Sequence, residues 1–233
     1  MGCGCVNQTP FESILDLFWN GILIRNKSLR DIVDLIRAKK KGTSNIDKKK
    51  LDLFIEALLI NPDYKEISYK LFNNSLNEAR KKNNEGLFFL SLLFLGKGNE
   101  TELTKNFLSI AMTQGGLKNS ILINLNNSKN LIKKESLYEL ISFYVNMISL
   151  MNVEILSDIN DNKEIFIQEL NNKFCLENQK QFIDNKIFEN YQNDEDIEIE
   201  SFIIDKFTIL INDTYIRQWI YQIITPNQNS LAN

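Results

Sequence analysis

Residues 188–202 run FENYQNDEDIEIESF, and the reading of this stretch decides what kind of helical protein the chain makes. Phe188 and Tyr191 stand three apart, which puts both rings on one face of a helix's last turn. Gln192, Asp194 and Asp196 then offer side-chain oxygens at alternate positions. Ile197 and Ile199 alternate with Glu198 as a short strand would. A solvated acidic segment has this composition, and so does a turn that gathers oxygens around a hard cation.

Outward from this segment the apolar pattern is helical. Leu29, Ile32, Val33 and Ile36 share one face, as do Leu51, Phe54, Ile55, Leu58 and Leu59. A longer stripe runs through Leu137, Leu140, Ile141, Tyr144, Ile148 and Met151. Another, through Tyr215, Ile216, Trp219, Ile220 and Ile223, stops at Pro226. TPFE at 9–12 has the grammar of a helix start, with Thr9 as cap, proline next and Glu12 reaching back. Strand patterns are confined to two triplets, ILI at 121–123 and IEI at 197–199. The expectation is an all-α protein of roughly eight to ten helices, with these stripes as core faces.

Composition removes several kinds of chemistry. The 233 residues contain no histidine, so Ser-His and Cys-His nucleophile pairs and imidazole ligands are absent. Neither G-x-x-x-x-G-K-[ST] nor G-x-G-x-x-G occurs. Three cysteines, two of them at 3 and 5, make neither a disulfide framework nor a four-thiolate metal site; a reducing compartment suits them. Cys175 has no base or cation beside it in sequence and is expected to be a buried structural thiol. A net charge of −3 argues against a basic face for nucleic acid. Basic clusters do occur at 37–42 and 79–84, where they balance helix C-termini or assist contact with anionic lipid. No enzymatic activity is expected.

The first five residues, MGCGC, hold two of the nine glycines and two of the three cysteines. Removal of Met1 exposes Gly2 as a substrate for N-myristoylation, although Val6 stands where the motif prefers Ser or Thr. A single myristoyl chain holds a protein only marginally, with a binding constant of about 10⁴ M⁻¹, so a second signal is needed. Cys3 and Cys5 can supply it as palmitate acceptors. The expectation is a lipid anchor at Gly2, Cys3 and Cys5 that places the chain on the cytoplasmic leaflet of a membrane. GLFFLSLLFLG at 86–96 is far shorter than the ~20 residues that span a bilayer.

Read in order, SLRDIVDLI (28–36), NIDKKKLDLFIEAL (45–58), SYKLFNN (68–74), GLFFLSLLFLGKGNETELTKNFLSIA (86–111), NLIKKESLYELI (130–141) and FENYQNDEDIEIESF (188–202) form a sequence of pieces. It resembles the EF-hand calcium sensors of the calcineurin-B-like and neuronal calcium sensor kind. The resemblance covers about residues 28–224 and lies in layout and apolar spacing more than in motif letters. It implies an anchor at 1–9, a first lobe at 10–112, a second at 113–225 and a flexible tail at 226–233.

The loops depart from the family's pattern, which needs oxygen ligands at positions 1, 3, 5 and 12 and a turn glycine at 6. The first, 40–51 with Ile46 at the bridge, opens on lysine, and the second, 75–86, is basic. The third, within 111–136, looks expanded; with Ile132 at its bridge it ends on Ser136. In the fourth, Ile199 taken as the bridge puts Gln192, Asp194 and Asp196 at 1, 3 and 5. Ile197 then stands at the glycine position and Ile203 at the last. A further segment, 158–169, has Asp158, Asn160 and Asn162 at 1, 3 and 5 and Glu169 at 12, with Lys163 in the glycine's place. It reads more simply as a helix start capped by Asp161 with Glu164 reaching back. The cofactor expectation is none, or calcium held weakly at one of these two segments.

The functional expectation is a membrane-anchored, largely calcium-independent adaptor. It would bind a helical segment of a partner protein in an apolar groove lined by residues such as Phe88, Phe89, Phe94 and Tyr144. The alternatives are a genuine calcium sensor switching through 158–169 or the fourth loop, and a structural helical protein of a membrane-linked or cytoskeletal assembly.

Overall fold

A computed structural model describes residues 28–40, 65–113, 121–124, 129–158 and 175–211, together with the isolated positions 53, 56, 57, 168 and 172. The described residues are mostly helical, with seven α-helices and three short strands. In chain order they are α1 (Leu29–Lys40), α2 (Lys65–Lys81), α3 (Glu85–Phe94), α4 (Glu100–Thr113), β1 (Ile121–Asn124), β2 (Lys129–Lys133), α5 (Lys134–Asp158), α6 (Leu176–Phe182), β3 (Asp196–Glu198) and α7 (Ile199–Ile211). Among the described residues no helix is long and apolar enough to cross a membrane. Stripes in the described regions do become core: Leu29, Ile32, Val33 and Ile36 are buried on α1, and Leu137, Leu140, Ile141, Tyr144 and Ile148 on α5. The expected helix start at 9–12 and the stripes through 51–59 and 215–223 lie outside the described side chains.

α3 is the centre. Every residue from Gly86 to Phe94 is buried, as a helix apolar on all sides requires. α1, α2, α4 and α5 all pack against it. Phe94 lies 5.0 Å from the Tyr144 ring and 6.3 Å from Phe107, so α3, α5 and α4 meet on aromatic contacts. The expected groove residues Phe88, Phe89, Phe94 and Tyr144 are therefore core, with exposures of 0, 5, 1 and 0%. Five helices' worth of apolar surface closes over them. The Tyr144 hydroxyl also donates to the Leu210 carbonyl at 2.7 Å, tying α5 to the end of α7.

The turns around α3 differ from the sequence reading in two places. The stretch 75–86, expected as a loop, is helical to Lys81. Leu76 and Ala79 continue the buried face of α2, so the helix does not stop at the basic run. Its end comes at Asn83, which takes φ 53°, while Asn83 and Asn84 N–H groups return to the Arg80 and Ala79 carbonyls. Arg80 Nε then bridges the turn to Glu85 Oε1 at 2.7 Å.

The expected helix–turn–helix across 86–111 is observed as α3, a turn at 95–99 and α4. The letters GKG at 96–98 suit a turn with glycine as a left-handed cap, whereas in the structure glycine is required there for space. A Cβ on Gly96 would lie 2.5 Å from Ile32 Cδ1, and one on Gly98 2.5 Å from Leu29 Cδ1. α1 presses directly on this turn, and Leu29 N–H donates to the Lys97 carbonyl at 3.0 Å. Ser28 caps α1 through Asp31 N–H. Asn99 and Glu102 exchange side-chain and backbone bonds at the start of α4, the reciprocal pattern of a capping box.

β1, β2 and β3 form one antiparallel sheet with β2 in the middle. The triplet 121–123 anticipated as a strand lies in β1; of 197–199, Ile197 and Glu198 lie in β3 and Ile199 begins α7. The central strand KNLIK has no alternating signal of its own; pairing on both sides makes it a strand. β2 runs directly into α5, and β3 directly into α7.

Candidate functional site

The sheet brings 129–134 against 190–198. Leu131 pairs with Glu198, Ile132 with Ile197 and Lys133 with Asp196, and the Lys134 N–H extends the ladder to the Glu195 carbonyl at 2.9 Å. Ile132 and Ile197 are both buried. The bridging isoleucine of the acidic stretch is thus Ile197, and Ile199, expected in that role, begins α7. Side chains two apart on a strand point the same way, so the sequence alternation fits either register. The start of α7 at Ile199 is what excludes the later one.

Two lysines from the first strand–helix unit reach into the second. Lys134 Nζ donates to the Gln192 carbonyl at 2.6 Å, and Lys129 Nζ lies 2.8 Å from Glu198 Oε2. Ser201 Oγ donates to the same carboxylate oxygen at 3.0 Å. The Lys129 hydrogen bond, then that of Ser201, holds the Glu198 carboxyl below its ordinary range.

Just outside the sheet, Lys206 is a lysine with only 6% of its side chain exposed, 3.0 Å from Asp205 Oδ2 and 5.9 Å above the Tyr191 ring. Asp205 Oδ2 accepts from Tyr191 Oη at 3.2 Å and from Asn190 Nδ2 at 3.4 Å. Burial would raise the Asp205 carboxyl, but Lys206, Asn190 and Tyr191 together outweigh it and hold it low. Burial, and then Asp205, pushes Tyr191 up to about 12.

Of the three expected loop ligands, Gln192 gives its carbonyl to Lys134, Asp194 stands exposed in the turn before β3, and Asp196 lies exposed on β3 opposite Lys133. Among the described residues no three acidic or thiol side chains converge as a metal ion needs. Asp158 is the last residue of α5. Asn160, Asn162 and Glu169 lie outside the described residues, as do Gly2, Cys3 and Cys5. Cys175, expected to be buried, is partly exposed at the start of α6, where the chain has only begun to turn toward the core.

A groove of about 720 Å³ adjoins the sheet. One wall is the first turns of α5, with Lys134, Glu135, Tyr138 and Ser142. The other is α6 and the turn after it, with Leu176, Gln179, Lys180, Ile183 and Asp184. Asp194 and Glu195 close one end. Residues 183–187 of this wall form a π turn, whose wider bond runs from Phe188 N–H to the Ile183 carbonyl at 2.9 Å.

The Tyr138 ring packs on Phe188 at 5.1 Å, Phe188 on Phe202 at 5.5 Å, and Phe202 on Tyr191 at 5.3 Å. One aromatic row therefore joins the groove floor to the loop. The Tyr138 hydroxyl is buried without a hydrogen bond of good geometry. Its burial, and then the nearby Asp184 carboxylate, pushes it up to about 12.

The sequence reading placed Phe188 and Tyr191 on the last turn of the preceding helix; that helical segment instead ends at Ile187, Phe188 follows it and Tyr191 lies in a separate 3₁₀ turn, with both rings packed on Phe202. That reading missed Lys206 and the groove. Lys206 had a signal: it shares a helical face with Phe202 and Leu210, four residues away on either side, both buried. Leu176 and Asp184 had none, since their place depends on how α6 lies against α5. Comparisons with protein-family models, curated proteins and solved structures find no match for this chain.

Proposed function

We propose that the chain is a membrane-tethered adaptor of EF-hand-like build that works without calcium and receives a helical segment of a partner protein. The observation that carries this reading is the charge within the paired loops. With Ile132 and Ile197 as the eighth residues of two twelve-residue loops, each following helix begins two residues later, at Lys134 and Ile199. That count makes the loops 125–136 and 190–201, and both end on serine, Ser136 and Ser201. A serine cannot supply the bidentate carboxylate that calcium takes from the twelfth position.

The cationic charge comes instead from Lys129 and Lys134, whose ammonium groups meet Glu198 and the Gln192 carbonyl. In this register the ninth position is Glu198, a carboxylate already engaged by Lys129 and Ser201, and the Lys134 ammonium lies against the loop backbone at Gln192. The loops need no ion to stay paired, so the surface they support is permanently formed. The membrane part of the proposal rests on Gly2, Cys3 and Cys5 in the sequence.

Calorimetric titration of the full chain with calcium is expected to give no stoichiometric heat below millimolar concentration. A micromolar stoichiometric transition would replace the adaptor with a sensor. In cells, Gly2→Ala is expected to move the chain from membranes to the soluble fraction, and unchanged membrane retention would remove the anchor.

A further inference from the structure

The groove between α5 and α6 has an apolar floor and a rim of predominantly one charge. We infer that its occupant is an amphipathic helix whose apolar face is flanked by lysine or arginine. This deepens the adaptor reading and rests on it. The floor is the Tyr138 ring and buried Ile183, and Leu176 stands at the edge with 77% of its surface exposed. An exposed leucine beside an apolar floor is surface that association would remove from water.

Among the described residues the rim carries four carboxylates, Glu135, Asp184, Asp194 and Glu195, against two ammonium groups, Lys134 and Lys180. Lys134 is already engaged with the Gln192 carbonyl. An acidic helix or an anionic membrane surface would meet repulsion along most of this edge, whereas basic flanks would meet carboxylates. The size also suits a helix. One face of a helix ~10 Å across fills 720 Å³ over about three turns, the length over which i, i+3, i+4 and i+7 anchors recur.

The test uses the full chain and three fluorescein-labelled model peptides: an amphipathic leucine/lysine helix, the same pattern with glutamate for lysine, and a scrambled leucine/lysine peptide. Fluorescence anisotropy is expected to give micromolar binding of the first peptide, at least tenfold weaker binding of the other two, and weakening with added salt. Leu176→Asn and Asp184→Asn change exposed or half-buried side chains. Each is expected to reduce affinity at least threefold with an unchanged thermal midpoint, and Asp184→Asn to flatten the salt dependence. Equal binding of the glutamate peptide would overturn the charge assignment. Binding indifferent to both substitutions would overturn the site. Binding of the unacylated chain to phosphatidylserine vesicles that Leu176→Asn abolishes would make the face a membrane contact instead. Any of these results leaves the calcium titration unchanged, so failure of the groove and failure of the adaptor reading are separable.

Discussion

The turn at 95–99 and the paired loops around β2 and β3 both join helices to their neighbours, yet they are held by different forces. At 95–99 the constraint is steric. α1 lies so close that Gly96 and Gly98 have no room for a side chain, and the neighbouring caps use uncharged contacts or local carboxylates. At the paired loops the constraint is electrostatic. Lys129, Lys134 and Lys206 each meet an oxygen on the acidic segment or the helix after it. The glycine contacts of the first region carry no charge, whereas in the second the Lys129 and Lys206 contacts depend on the Glu198 and Asp205 carboxylates staying ionised. Burial is indifferent to charge state, and ion pairing is not.

The largest expected effect comes from the steric side. Phe94→Ala removes a ring that is 1% exposed and touches both Phe107 and Tyr144. It should cost about 3–5 kcal/mol in denaturant unfolding, and a loss under ~1 kcal/mol would break the picture of α3 as the centre of packing. The next test is acid. Asp205 and Glu198 are both held below their ordinary range in the folded state. Their contribution is therefore present above the unfolded carboxylate value near ~4 and is lost as pH falls through the lower folded values. Both side chains are partly exposed, which limits the joint loss to about 1 kcal/mol. Urea melts between pH 6 and pH 2 should show it. Asp205→Asn with Glu198→Gln should remove it, while Phe94→Ala should keep it.

The smallest expected effect is the most discriminating. Lys134→Met removes the ammonium from the Gln192 carbonyl at an exposed site and should cost about 0.5–1 kcal/mol. If the loops are held by their own charges, that loss should be the same with and without millimolar calcium. Restoration of the melting temperature by calcium in Lys134→Met, but not in the parent chain, would sharpen the comparison by identifying the lysine as the sole barrier to the ion. Restoration in both would break it.

Much of the architecture was visible before any coordinates. Apolar residues at helical spacing predicted α1 and α5, because burial selects residues locally along one element, whereas Phe88, Phe89 and Phe94, expected in a groove, are core because four other helices pack on α3. The second loop was misread because basic letters at 80–82 suggested an interruption, while the apolar face of α2 continued through Leu76 and Ala79. The groove left no trace in the sequence, since its walls come from segments about forty residues apart.

What the sequence alone determined is the helical character, the absence of histidine chemistry and the scarcity of calcium-loop carboxylates, each a property of residue identity and local period. What only the tertiary structure decided is the pairing of Ile132 with Ile197, the engagement of Lys134 and the acid-rimmed groove. A period of two cannot distinguish one isoleucine from the next. An ammonium group on a flexible stem acquires its meaning only from the oxygen that folding brings to it.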